Sequence, residues 1–110
     1  MSDLAKKKCK PCEDKTGLLP EQTAEHLLEE TDKWTIVENK RIEKSIRFKD
    51  FKSALNFINK VGEIAEKEGH HPDFCLTSWN KVTFTLSTHS IGGLSENDFI
   101  LAAKIDELYR

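Results

Sequence analysis

The sequence predicts an α+β domain in which helices cover one face of a four-stranded antiparallel sheet, in the order α-β-β-α-β-β-α. Two stretches alternate apolar and polar residues around short polar turns, a pattern typical of β-hairpins. Other stretches repeat apolar residues at helical spacing, which indicates amphipathic helices. The length of 110 residues suits one domain with one core.

Composition excludes several classes of function. Hydrophobic residues make up 37% of the chain, charged residues 33%, and the formal net charge is -2. This balance argues against nucleic acid or an anionic membrane surface as a partner. No apolar stretch approaches the roughly 20 residues of a membrane helix, and the first residues lack the apolar core of a signal peptide. We therefore expect a cytoplasmic protein.

The first 18 residues show no periodicity, so we expect a mobile N-terminal arm (1–18) before a single domain (19–110). Cys9 and Cys12 have the spacing of half a zinc ribbon, but a closed zinc site needs four ligands. A redox role would need the pair at a strand-to-helix junction, which the arm does not offer. A plain tail is the favoured interpretation, and three cysteines without a framework spacing agree with a reducing compartment.

The first helix is predicted to begin at Pro20, which is allowed at a helix start, and to end near Asp32. Residues 34–48 then form the first hairpin, with its turn at residues 38–40. Trp34 has two interpretations: it is a core residue, or it is a stacking wall for a flat ligand.

The second helix is predicted between the N-cap Asp50 and the stop signal Gly69. Its apolar stripe comprises Phe51, Ala54, Leu55, Ile58, Val61 and Ala65. A second hairpin should pair residues 74–79 with residues 82–89 through an Asn80-Lys81 turn. In that hairpin His89 ends a polar strip and is not a core histidine.

The last helix should follow a flexible connection over residues 91–94. Ser95 and Asp98 have the spacing of a capping box, with Ser95 as the N-cap. The apolar residues of this helix cover more than one stripe. We therefore expect it to pack on the sheet and also on another subunit.

Titratable residues gather where elements start or stop, and these residues predict an acid–base site. Glu66 lies in the last turn of a helix, where the dipole disfavours a carboxylate by a few tenths to 1 kcal/mol, so we expect His70 to be its partner. Pro72 favours an extended His71, which should then diverge from His70 and disfavours a metal site on the pair. His89 and Asp98 would form the opposite wall. The alternatives are a polar loop for the histidines, a cap residue for Asp98 and a zinc set completed by His89.

Spaced motifs add a resemblance to this interpretation. They are Glu66-x-x-x-His70-His71-Pro72, Trp79-Asn80-Lys81-Val82, Leu86-Ser87-Thr88-His89, Gly93-Leu94-Ser95-Glu96-x-Asp98 and, upstream, Asp32-Lys33-Trp34 and Phe48-Lys49-Asp50-Phe51. Together they closely resemble the pterin-4a-carbinolamine dehydratase family over roughly residues 20–110. Gly69 departs from the acidic residue that the family often has before the histidine pair.

The resemblance implies the same α-β-β-α-β-β-α order and homodimers formed through strand pairing or homotetramers formed through helices. It implies a hydro-lyase that converts 4a-hydroxytetrahydropterin to quinonoid dihydropterin without metal or cofactor and so recycles the pterin of aromatic amino-acid hydroxylases. It assigns His70 as the base at N5 and His71 and His89 as proton donors to the leaving hydroxyl. Glu66 would orient His70, and Asp98 would orient His89. Trp34, Ser87 and Thr88 would line the pterin pocket.

Two other functions stay open at this point. Animal members of the family also act as dimerisation cofactors for a transcription factor, which would make the chain a protein-binding module. A relative could also act on another pterin, such as one from molybdenum-cofactor synthesis. The joint presence of the three histidines and two acids favours the enzyme, since a scaffold does not need them.

Overall fold

The computed structural model describes residues 3–10 and 17–109, and its order of helices and strands confirms the predicted α+β fold. The elements are α1 (Glu21–Leu28), β1 (Thr35–Val37), β2 (Arg41–Arg47), α2 (Phe51–Glu68), β3 (Asp73–Thr77), β4 (Lys81–Leu86) and α3 (Glu96–Tyr109). Short 3-10 turns also lie at Asp3–Lys6 and His89–Ile91. Cys12, in the predicted arm, lies outside the described residues. No helix within those residues has both the length and the apolar character to cross a bilayer.

The sheet is antiparallel, with the strand order β1-β2-β4-β3, so the two hairpins meet through β2 and β4. Ile42 lies opposite Leu86 and Ile46 opposite Val82 across this central pair. These apolar side chains are buried beneath the helices. The alternation read from the sequence therefore gave the correct face of both central strands.

Both hairpins turn through three residues, of which the first two have left-handed backbone angles. In the first hairpin these are Glu38 and Asn39, inside the predicted turn. In the second they are Ser78 and Trp79, so the prediction of an Asn80-Lys81 turn is wrong. Asn80 instead donates its side-chain amide to the Phe48 carbonyl at 2.9 Å and so ties the turn to the end of β2.

Helix α2 has the predicted ends. The Asp50 carboxylate accepts a hydrogen bond from the Ser53 amide at 2.7 Å, and Gly69 ends the helix with φ of 66°. The predicted apolar stripe is wrong on one side, because Phe51 and Leu55 are exposed while Phe57 is buried.

Helix α1 ends at Leu28, four residues before the predicted Asp32. The Thr31 amide and hydroxyl both donate to the Leu28 carbonyl, at 3.0 and 2.7 Å, which tightens the chain and prevents another α-helical turn. Lys33 then takes a left-handed conformation before β1 begins.

Helix α3 is buried on nearly all sides, and its own chain provides the cover. The second apolar face, predicted to meet another subunit, packs against the 3-10 turn Asp3–Lys6 and helix α2. Leu4 of that turn is almost fully buried in the core. Residues 3–10 thus lie packed on the domain, where a mobile arm was predicted.

The core holds one ion pair that the sequence pattern did not indicate. Lys44 lies on the buried face of β2, and its ammonium contacts the Asp106 carboxylate of α3 at 2.7 Å. The Trp34 indole nitrogen donates to the same carboxylate at 2.8 Å. Trp34 is therefore a core residue, and its interpretation as a stacking wall is wrong because its ring is buried.

Candidate active site

Asp98 is the centre of the candidate site. It lies in the first turn of α3, is completely buried and accepts three hydrogen bonds. Its Oδ2 accepts the Ser95 amide at 3.0 Å and the Thr88 hydroxyl at 2.9 Å, and its Oδ1 lies 2.6 Å from His70 Nε2. The bond to Ser95 is the returning half of the predicted capping box. Three polar groups thus converge on one carboxylate at the N-terminus of a helix.

His70 reaches Asp98 because of how α2 ends. The left-handed Gly69 reverses the chain, and the His70 amide donates to the Ala65 carbonyl at 3.3 Å. The imidazole is thereby turned inward, and only 12% of its side chain is exposed. Because the carboxylate holds Nε2–H, the neutral ring carries its free lone pair on Nδ1. His70 is thus prepared to accept a proton at Nδ1.

The predicted pairing of Glu66 with His70 is wrong. Glu66 Oε2 instead lies 2.5 Å from His71 Nε2, and both side chains are largely exposed, at 78% and 60%. The predicted divergence of the two histidines is confirmed, since each one contacts a different carboxylate. The unfavourable helix position of Glu66 did indicate a histidine partner, but of the two neighbours His71 points outward and His70 inward.

The predicted pairing of Asp98 with His89 is also wrong. Strand β4 ends at Leu86, three residues early, and His89 begins an exposed 3-10 turn. Thr88 and Gly93 pair across this turn, with the Thr88 amide donating to the Gly93 carbonyl at 2.8 Å. The connection over residues 91–94, predicted as flexible, is folded, and most of its side chains are buried.

Thr88 is buried, and its hydroxyl contacts the Asp98 carboxylate. Its hydroxyl donates to Asp98, so the Ser95 hydroxyl, 2.7 Å away, donates to Thr88. Thr88 therefore helps to orient Asp98. Ser87 is half-buried and faces a cavity that His89 also lines.

Two cavities have Thr88 as a common lining residue. The first, about 390 Å³, is lined by Lys40, Arg41, Asp73, Thr85, Ser87, Thr88, His89, Gly92 and Gly93. The second, about 320 Å³, is lined by Cys9, Lys10, Glu68, Gly69, His70, Thr88, Ser90 and Asn97. His70 and His89 thus line different cavities that share one wall residue.

Several lining residues were missed by the sequence analysis. Lys40 and Arg41 belong to a turn that was interpreted only as polar, and Cys9 and Lys10 belong to the predicted arm. Glu68 carried a usable signal, because it lies in the last turn of α2 and needs a partner as Glu66 does. Its Oε1 accepts the Cys9 amide at 2.7 Å.

The arrangement offers one oriented base and two exposed histidines that can carry protons. His70 is oriented by a buried carboxylate, whereas His71 and His89 exchange protons with solvent readily because they are exposed. Within residues 3–10 and 17–109, no group of three or more His, Cys, Asp or Glu side chains is arranged to hold a metal ion. The chemistry available to these residues is proton transfer.

Comparison with known proteins identifies the family of the chain. Residues 17–108 match the sequence model of the family described as pterin 4 alpha carbinolamine dehydratase. The mitochondrial pterin-4-alpha-carbinolamine dehydratase 2 of Arabidopsis thaliana is 46% identical over 98% of this chain and 60% of its own length. A Rubrobacter xylanophilus protein that carries the dehydratase name provisionally is 43% identical over 98% of this chain and its own full length. A Brucella melitensis crystal structure, described as a transcriptional coactivator/pterin dehydratase, matches with a TM-score of 0.77 at 35% identity, covering 82% of this chain and 96% of that one.

Proposed function

Because the chain belongs to the pterin 4 alpha carbinolamine dehydratase family, we propose that it dehydrates 4a-hydroxytetrahydropterin to quinonoid dihydropterin by histidine acid–base catalysis. The observation that carries the proposal is the contact of 2.6 Å between His70 Nε2 and the buried Asp98 carboxylate. Such a pair fixes the tautomer of the ring and stabilises the imidazolium that forms when Nδ1 takes up a proton.

The reaction needs two proton transfers. His70 Nδ1 removes the proton from N5 of the substrate, and the electron pair left on N5 forms the double bond to C4a. The C4a–O bond breaks, and the hydroxyl leaves as water after it receives a proton from an imidazolium. Each catalytic group then returns to its first state by exchange with solvent, so the products are the quinonoid pterin and one water.

His71 and His89 are the proposed donors to the leaving hydroxyl. Both are exposed and so regain protons from solvent between turnovers. Glu66, 2.5 Å from His71, would orient that ring, a role revised from the predicted orientation of His70. His89 shares its cavity with Ser87, so the hydroxyl of Ser87 is a candidate hydrogen-bond partner for the pterin.

The same proposal covers the setting of the enzyme. Recycling of a hydroxylase's pterin and a cytoplasmic location follow from the family resemblance and the composition. A homodimer or homotetramer is favoured by the edge strand β3, on which Phe74 and Cys75 are exposed. The composition still argues against nucleic-acid and membrane partners.

Stopped-flow spectroscopy of the dehydration step tests the proposal directly. Enzyme at micromolar concentration should accelerate the conversion of 4a-hydroxytetrahydropterin, and EDTA should leave the rate unchanged. No acceleration would refute the dehydratase function. Loss of rate with EDTA would instead favour a metal-assisted reaction.

A second candidate function is binding to a transcription factor, and the description of the Brucella melitensis structure as a coactivator/pterin dehydratase favours it. In this chain the exposed apolar residues Phe51 and Leu55 of α2 form a surface separate from the histidines. Phe51→Ser with Leu55→Ser should then abolish partner binding and keep dehydration. His70→Ala should do the reverse.

A further inference from the structure

The second cavity has a wall that the family match does not include. Residues 3–10 precede the matched residues 17–108, yet Cys9 and Lys10 line the cavity into which His70 opens. A segment outside the matched domain therefore forms part of the candidate site.

Two side chains hold this segment by its backbone. The Asn97 side chain contacts Lys10 twice: its Oδ1 accepts the Lys10 amide at 2.9 Å, and its Nδ2 donates to the Lys10 carbonyl at 2.5 Å. Glu68 Oε1 accepts the Cys9 amide at 2.7 Å. Contacts to main-chain atoms fix the path of the segment whatever its side chains do.

The same side chains connect the segment to the catalytic pair. Asn97 directly precedes Asp98, and Glu68 is two residues before His70. The Cys9 thiol lies 3.7 Å from the Asn97 carbonyl, and burial, followed by the nearby Glu68 carboxylate, raises its pKa from 9.0 to about 12. A thiol held neutral in this way is a poor nucleophile, which agrees with a structural role for Cys9 in the wall.

Further anchors support this position. The Lys104 ammonium donates to the Ala5 carbonyl at 2.7 Å, and Leu4 is buried in the core. Lys7 pairs with Glu96 at 2.9 Å, but both side chains are about half exposed, so this pair contributes little. The segment is thus held at several points along its length.

We propose that the Cys9–Lys10 segment is a substrate-positioning wall of the His70 cavity, held in place by Asn97 and Glu68. The inference rests on the proposed function, because it names the element that limits which part of the pterin can lie beside His70. Asn97 and Glu68 act through the segment and are positioning residues. Their loss should weaken pterin binding more than it slows the chemical step.

Binding of 7,8-dihydrobiopterin, a stable reduced pterin, is the first measurement. Asn97→Ala and Glu68→Ala should each raise its Kd, and the KM for the carbinolamine, about five- to tenfold, while kcat changes less than threefold. Glu68→Gln keeps an oxygen that can accept the Cys9 amide, so it should bind nearly as wild type does. Glu96→Ala is the matched control, since it removes the Lys7 contact of the same segment, which lies away from the cavity, and it should leave Kd unchanged.

Alkylation of Cys9 by iodoacetamide reports the position of the segment without turnover. In a Cys12→Ser, Cys75→Ser background Cys9 is the only thiol, and it should react slowly at pH 8. Asn97→Ala should accelerate the reaction at least tenfold, and added 7,8-dihydrobiopterin should slow it again. Thermal unfolding of each variant identifies any that lose the fold, and Glu68→Ala then replaces Asn97→Ala.

The outcomes separate the inference from the proposed function. An unchanged rate of Cys9 alkylation in both alanine variants would show that Asn97 and Glu68 do not hold the segment. Faster alkylation with an unchanged Kd would show that the segment is held but is not a wall for pterin. Either result overturns the inference. A wild-type protein that binds 7,8-dihydrobiopterin and catalyses no dehydration would refute only the proposed function.

Discussion

Helix α3 carries two buried aspartates, and each one accepts three hydrogen bonds. Asp98 contacts His70, Thr88 and the Ser95 amide, whereas Asp106 contacts Lys44, Trp34 and the Asp32 amide. Their exposed fractions are 0% and 3%. Burial and the number of donors therefore do not distinguish the two sites.

The difference lies in the partner. Only 5% of the Lys44 side chain is exposed, so the ion pair between Lys44 and Asp106 is closed to both solvent and substrate. His70, in contrast, opens onto a cavity, and an imidazole can act as either a proton donor or a proton acceptor. The same type of carboxylate thus stabilises the core in one place and can serve proton transfer in the other.

The largest expected effect is on stability, at Asp106. Asp106→Ala leaves the Lys44 ammonium buried without its partner, which should lower the free energy of unfolding by about 3–5 kcal/mol in urea denaturation. Replacing both residues, with Lys44→Met and Asp106→Leu, should restore most of that loss. Turnover per folded molecule should not change. A large loss of kcat in the folded fraction of Asp106→Ala would show that Asp106, like Asp98, contributes to catalysis.

His70 should show the opposite result. His70→Ala removes the proposed base, so kcat for dehydration should fall at least about 10²-fold. Water can reach Asp98 in the space that opens, so the loss of stability should be smaller than at Asp106. His26→Ala, an exposed histidine of α1, is the matched control and should keep the wild-type rate. A nearly unchanged rate in His70→Ala would assign the base elsewhere.

Asp98→Asn should have an intermediate effect. The amide keeps the shape of the carboxylate but no longer stabilises the imidazolium, and removing such a partner costs about 10- to 100-fold in rate. Single-turnover kinetics measure the chemical step alone. Equal rates for Asp98→Asn and wild type would show that His70 needs no buried carboxylate.

Glu66→Gln tests the contribution of burial. Glu66 and His71 form a short contact as Asp98 and His70 do, but both side chains are mainly exposed and solvent screens their attraction. We expect a loss in kcat of threefold at most in the same kinetic measurement. A loss as large as that of Asp98→Asn would mean that contact with a carboxylate, and not its burial, determines the effect.

Cys9→Ala should have the smallest effect of these variants, and it should appear in how the free energy of unfolding depends on pH. Its pKa is raised in the folded state, so the stability linked to this group is complete below pH 9 and declines as pH rises toward 12. The free energy of unfolding should therefore fall with pH in this range. Because the thiol is only partly buried, the fall should be smaller than the about 1.4 kcal/mol per pH unit of a complete proton difference, at roughly 0.5–1 kcal/mol per pH unit. Urea denaturation between pH 8 and 10.5 should show a flatter profile for Cys9→Ala. Parallel profiles would contradict the assigned cause.

Periodicity predicted the fold well, and local signals predicted most helix ends. Asp50 and Gly69 bound α2 as expected, and the alternation in β2 identified Ile42 and Ile46 as core residues. The family and the hydro-lyase class, which came from the resemblance, are confirmed by the comparisons. Lys44 was missed because a charged residue on an apolar face has meaning only once its distant partner is known.

The candidate site was harder to predict than the fold. The sequence identified Glu66, His70, His71 and Asp98 but exchanged their partners, because pairing depends on which way each histidine turns after Gly69. That direction follows from the packing of α2 against α3, which lie far apart in sequence. Roles in catalysis for these residues, and for His89, remain predictions, and the variants above test those of His70, Asp98 and Glu66.

The double use of Asp98 has a consequence for how the site can be observed. Its carboxylate accepts from the Ser95 amide at Oδ2 and contacts His70 at Oδ1, so opening the site and fraying the start of α3 both involve the same side chain. Exchange of the Ser95 amide hydrogen with deuterium should therefore report how often the catalytic pair comes apart in the native protein. One backbone amide, followed by NMR in the resting enzyme, then measures the integrity of the site without substrate.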